Sequence, residues 1–209
     1  MRATVTLNGD IGGTWAAPRV DGSGKLSGGE IQDYARGLRI HDIAAAFRIE
    51  HSRLTVSEFT GHAGPGTLSA SGTVDFATAG TPLDFTLNAK NARPVVSDLV
   101  TATLSGDAKV TGTLAAPALP GEVQILRAEI NLPENFPAQV AVLHVRRRGQ
   151  SPAPPISQSH IAFDVRVRTS GPVLVRGHGI DATMGGEIRL GGSSLAPAIS
   201  GGFRMERGR

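Results

Sequence analysis

The chain has 209 residues and no cysteine, which allows one or two ordinary domains or a single extended repeat and excludes a disulfide scaffold, a thiolate zinc site and a cysteine nucleophile. Apolar residues make up 40% and aromatics only 4%, while 27 Gly and 13 Pro punctuate the chain too heavily for a helix bundle. The formal charge is +3, and Lys25, Lys90 and Lys109 are the only lysines, so 18 of the 21 basic residues are arginine; with so few aromatic stacking platforms, a nucleic-acid reader is not expected.

The chain opens on MRATVTLNGD, which lacks the basic-then-apolar layout of a signal peptide. No run approaches the roughly 18–20 apolar residues of a membrane-spanning helix. Together with the charged end Arg204-Met205-Glu206-Arg207, this reads as a soluble piece of a longer protein. Val5 and Leu7 alternate with polar neighbours, as a strand with one greasy face does. A motif follows: Gly13-Thr14, then Pro18, then Gly22. The same offsets return at Gly112-Thr113, Pro117 and Gly121, and at Gly192-Ser193, Pro197 and Gly201. Each copy lies between two alternating stretches and reads as strand, turn, strand. Pro fixes φ and donates no hydrogen bond, so it is expected in the connection, and the two Gly are expected to supply positive φ where the chain leaves and rejoins a sheet.

Residues 27–37 are the least regular early segment. Asp42 to Phe47 (DIAAAF) is the best helix candidate, with Asp42 as its N-cap, but it is flanked by alternating stretches. Leu54 and Val56 then alternate, as do Leu83, Phe85, Leu87 and Ala89, and later Val123 and Ile125. Residues 146–160 (RRRGQSPAPPISQSH) break the texture and read as a long solvated loop or insertion, with contact between Arg146-Arg147-Arg148 and phosphate headgroups or an acidic partner as the other reading. Phe163, Val165 and Val167 alternate with Asp164, Arg166 and Arg168, and Ile188 and Leu190 with Glu187 and Arg189. This one-sided alternation predicts an all-β, antiparallel-rich sheet covered on one side. At about 12 residues per strand and turn, roughly 15–17 strands stacked about 4.8 Å apart would extend on the order of 75 Å.

Reactive constellations are scarce. His41, His51, His62, His144, His160 and His178 form no metal-ligand spacing, so no metal is expected. Gly22-Ser23-Gly24-Lys25 fails as a phosphate loop because Leu26 stands where Ser or Thr belongs and Arg19 where the first Gly belongs. There is no Gly-x-Ser-x-Gly elbow, and Asp42, Glu50 and Glu58 read as strand or turn carboxylates. Neither an enzyme nor a cofactor is expected.

Residues 106–134, GDAKVTGTLAAPALPGEVQILRAEINLPE, resemble the C-terminal region of the TamB family, inner-membrane components of the translocation and assembly module within the AsmA-like group. GHAGPGTLSASGTVDF (61–76), PLDFTLNAKNARPV (82–95) and VLVRGHGIDATMGGEIRLGGSSLAPAISGGF (173–203) fit the same order. The resemblance implies one elongated curled sheet over 1–209, an open trough called a β-taco with an aliphatic lining. It implies a periplasmic segment of a protein anchored in the inner membrane of a Gram-negative bacterium, without catalytic residues. Implied partners are phospholipid acyl chains and an outer-membrane barrel protein of the TamA type. The implied roles are lipid transfer between membranes or help with outer-membrane protein assembly. The trough wall would be built from Val5, Leu7, Leu54, Val56, Leu83, Phe85, Leu87, Val110, Val123, Ile125, Ile130, Phe163, Val165, Val167, Val173, Val175, Ile188 and Leu190. Such a wall meets lipid or closes on itself as a dry sandwich. Val, Ile, Leu and Ala are expected to keep it smooth.

Overall fold

The computed structural model describes residues 3–14, 17–33, 37–133 and 160–208. These form one sheet of 12 strands and no helix. The strands are β1 (Thr4–Thr14), β2 (Ala17–Asp33), β3 (Leu38–Glu50), β4 (Arg53–Ala63), β5 (Gly66–Asp75), β6 (Pro82–Val96), β7 (Val100–Thr113), β8 (Pro117–Asn131), β9 (Ala162–Thr169), β10 (Val173–Gly177), β11 (Ile180–Gly192) and β12 (Pro197–Gly208). From β1 to β8 every strand pairs antiparallel with the one before it. The described strands are longer than a 12-residue unit implies, β2 reaching 17 residues. At about 4.8 Å per strand the path through the described strands extends on the order of 50 Å.

The pattern changes after β8. Both β9 and β10 run parallel to it, β9 along Ala118–Ile125 and β10 along Ala128–Asn131. They are two lengths of one broken ribbon, and β11 returns antiparallel beside both. β12 then closes the order, and among the described residues it is an edge strand paired only with β11. A parallel step needs a long return connection, here residues 132–161. The Pro-rich segment at 146–160 belongs to that connection and, except for His160, lies outside the described residues.

All three copies of the Gly-Thr/Ser…Pro…Gly motif are hairpins: β1–β2, β7–β8 and β11–β12. Their register is identical, with Gly13 opposite Pro18, Gly112 opposite Pro117 and Gly192 opposite Pro197. Alternating strand direction puts these three turns on one rim of the sheet, called here the upper rim. The hydroxyl in the motif has a role that spacing alone did not disclose. Thr113 Oγ1 accepts the Ala116 N–H at 3.2 Å, and Ser193 Oγ accepts the Ala196 N–H at 3.3 Å. Proline does not sit within the connection. It stands at the start of the return strand, the first residue of β8 and β12 and the second of β2, where a missing N–H disturbs the ladder least. Glycine divides into two roles. Gly112, Gly192 and Gly201 take left-handed φ of 103°, 78° and 90°. Gly22 and Gly121 do not; a Cβ there would lie 2.9 Å from the Asn8 carbonyl oxygen and 2.7 Å from the Ala108 Cβ, so close strand approach selects glycine.

The candidate helix at 42–47 is part of β3. Asp42 has φ of 51°, and the β3–β4 register shifts between His41 and Ala44. The short polar side chain that suits an N-cap also tolerates the left-handed region, and here it makes a bulge. Asn91 in β6 repeats the device, with φ of 50° and a register shift between Ala89 and Ala92. The β4–β5 hairpin is short and ends at Ala63 and Gly66. Beyond it the two kinked strands meet: Leu38 pairs with Val95, and the Val96 N–H donates to the Gly37 carbonyl at 2.9 Å. The sheet is therefore curled, and its lower rim is stapled across β3–β6. Ala63 and Ala92 are fully buried beneath the staple. The other buried apolar residues are Ile43, Val74, Ala128, Val173 and Ala182, and among the described residues no large side chain is completely enclosed. No helix of the described residues is long and apolar enough to cross a membrane.

Candidate functional site

Register fixes which side chains share a face, because a pleated strand alternates sides at every residue. One rung crosses the whole sheet: Val5, Leu26, Ala45, Phe59, Ala70, Leu87, Ala108, Gly121, Val165, Leu190 and Ile199, each the direct partner of the next. Every member is apolar. On its upper side run Leu7, Gly24, Phe47, Val56, Gly72, Phe85 and Val110, with Phe163 opposite Leu119. Nearer the upper rim Ile49, Leu54, Val74, Leu83 and Gly112 form another. On its lower side Leu68, Ala89, Gly106, Val123, Val167 and Ile188 continue the surface. Lower still, Ile125 pairs with Leu104, Val173 with Ala128, and Val175 with Ile130 and Ala182. The 18 residues expected in a wall thus lie on one face of one sheet.

The face is concave and partly open. Leu54, Val56, Leu83, Phe85, Leu87, Val123 and Val165 are half-buried, and at the two sheet edges Leu7 and Ile199 are 68% and 70% exposed. Phe59, Leu68, Ala70, Leu87, Ala89 and Val123 help line an apolar recess of about 260 Å³ in its middle.

Phenylalanine has a larger part than the aliphatic expectation gave it. Phe47 and Phe59 join Phe85 and Phe163 on this face, and Phe203 lies opposite Gly186. Phe47, Phe59, Phe85 and Phe203 each have a glycine or alanine as a cross-strand partner, whereas Phe163 lies opposite Leu119. Phe47 pairs with Gly24, and a Cβ on Gly24 would run into that ring. Phe85 pairs with Gly72, where a Cβ would meet the ring at 2.6 Å. Rings lying over glycines keep the wall low. Phe59 escaped period-two reading because the register shifts between Val56 and Phe59, so strict alternation from Leu54 would have turned Glu58 inward.

The opposite face carries charge. Arg166 and Arg168 reach Glu187 at 3.2 and 3.0 Å, Arg168 also reaches Glu122 at 3.4 Å, and Arg189 bonds Asp164 at 2.8 Å. The Arg189 guanidinium holds the Asp164 carboxyl below its ordinary range, and Arg53 and Arg127 do the same to Asp75 and Glu129. The fold also gathers a group that no spacing rule connects. His41 and His62 are register partners with stacked rings 5.7 Å apart, and Asp42 bonds His41 Nδ1 at 2.8 Å.

The sheet thus has one continuous apolar face, one charged face and a hairpin repeated along one rim. The family model of the TamB C-terminal domain matches residues 52–209. The chain belongs to the TamB family. The match runs from the start of β4 to the end of the chain, and in register the TamB apolar rung continues unbroken through β1–β3 outside it. No curated protein and no solved structure matches the chain.

Proposed function

We propose that this TamB-family segment is a non-enzymatic trough that holds phospholipid acyl chains and lets them slide between the inner and outer membranes. The observation that carries this reading is the rung from Val5 to Ile199, apolar at every strand it crosses. Burying one methylene is worth about 0.8 kcal/mol, so a 16-carbon chain gains roughly 12 kcal/mol gross without any headgroup contact. A wall of similar apolar side chains offers nearly the same gain at each step, which favours movement along it over trapping at one point. In this reading the segment works in the periplasm and the full protein is anchored in the inner membrane. Native mass spectrometry of the purified protein tests it. Phospholipid adducts that organic extraction removes are expected; a clean apo mass with no extractable lipid refutes it.

The edge strand β12 favours a second reading, a scaffold for an outer-membrane barrel protein of the TamA type. Among the described residues no strand lies beside its outer backbone groups, and Ile199 and Met205 are 70% and 59% exposed. A strand added there would satisfy the backbone and cover both side chains. Photo-crosslinkers at Ile199 and Met205 are expected to capture a barrel protein; capture of lipid alone rejects this role.

A further inference from the structure

We propose that His41, Asp42 and His62 form a binding site for a divalent transition-metal ion of the zinc class, on the face turned away from the apolar wall. The placement follows from the backbone. Gly61 faces Ile40 and Ile43 on the apolar side, so its neighbour His62 turns outward. His41 is the register partner of His62 and shares that side. Asp42, next in sequence, would ordinarily face the other way. Its left-handed φ of 51° breaks the alternation and brings its carboxylate beside the same two rings.

One nitrogen from each imidazole and one carboxylate oxygen all lie within 4.8 Å of one another. Zinc takes His nitrogen and carboxylate oxygen at about 2.0–2.2 Å, which places tetrahedral ligand atoms roughly 3.3 Å apart. The His41 and Asp42 side chains are 38% and 73% exposed, so small rotations close that difference without moving the sheet. The rings are stacked, 16° from parallel, so binding requires each to swing about its Cβ–Cγ bond until its nitrogen lone pair points at the common ion. A metal ion bound through these atoms replaces the His41 Nδ1–Asp42 Oδ2 hydrogen bond of 2.8 Å, since a ligating imidazole nitrogen carries no proton. Two imidazoles and one carboxylate leave further positions for water. His41 and Asp42 also line a recess of about 690 Å³ with Glu30, Asp33, Arg39 and Arg93; Arg39 is engaged by Glu30 at 3.6 Å. The bound ion ties β3 to β4 beside the point where β3 crosses to β6, and so clamps the stapled rim.

Titration calorimetry with zinc chloride, cobalt absorption spectra and thermal melts of the 209-residue protein test the site. One saturable zinc site, a melting temperature raised by zinc and returned by chelator, and a cobalt visible band are expected. His41→Ala and His62→Ala each abolish all three. Asp42→Asn keeps the kink, because Asn also accepts left-handed φ, and weakens binding at least about tenfold. His160→Ala changes nothing. Absence of saturable zinc, cobalt or nickel binding at millimolar metal overturns the proposal, as does binding retained in the folded His41→Ala/His62→Ala double variant.

Discussion

Asp42 and Asn91 concentrate the bending of two strands into one residue each. Both stand at left-handed φ, which a β-branched side chain resists. Asn91 also has its N–H held by Ser105 Oγ at 2.9 Å. Asn91→Val is therefore expected to cost about 1–3 kcal/mol, read as a lower urea midpoint, while Asn91→Gly stays close to the parent. A second expectation concerns acid. Asp75, Glu129 and Asp164 have carboxyl pKa values lowered in the fold by arginine partners. Their folded state binds protons less readily than the unfolded chain, so they stabilise above the ordinary carboxylate range of about 4 and lose that contribution as pH falls through their lowered values. Urea midpoints measured from neutral pH downward should fall in that window, and Asp164→Asn should flatten the fall. Legibility at this scale was uneven. Alternation placed Val165 and Arg166 on opposite faces, and register agrees. It could not place Phe59 or His62, because one residue of bulge inverts everything beyond it until the next irregularity.

The repeated hairpin is the element that sequence exposed best. Three copies with equal offsets named a turn, and each copy is one. What spacing could not give was the division of labour within it, since a glycine kept for φ and a glycine kept for close approach look alike on paper. Gly112 combines a φ of 103° with a site where a Cβ would come 2.7 Å from the Ala116 carbonyl oxygen. Gly112→Ala is expected to destabilise by about 2 kcal/mol or more. Thr113→Ala removes only an exposed hydrogen bond and should cost about 0.5–1.5 kcal/mol. Chemical denaturation of the two variants gives the order, and equal losses would mean that the Gly112 backbone conformation matters no more than one exposed hydrogen bond. The helix candidate shows the opposite failing. Four consecutive small or aliphatic residues after an Asp satisfy helical and strand patterns alike, and flanking strands on both sides decide the outcome.

At the scale of the whole molecule, all-β class and one-sidedness were legible because period two persists through most of the chain. The parallel step was not, since a strand looks the same whichever way its neighbour runs. One-sidedness also yields a functional expectation. Val165→Asp puts a carboxylate on the longest apolar rung and should sharply reduce co-purifying lipid, measured by extraction. Arg166→Asp changes the charged face, loses contact with Glu187, and should leave lipid content unchanged. Equal losses would place lipid elsewhere. The parallel insertion has a kinetic meaning as well. The meander from β1 to β8 can form in sequence, each ribbon adding to the one just laid down. β9 cannot join until the 132–161 connection has carried the chain back along β8, so β8 waits with a bare flank. That interval is when the nascent sheet is most open to a wrong neighbour, including another copy of itself.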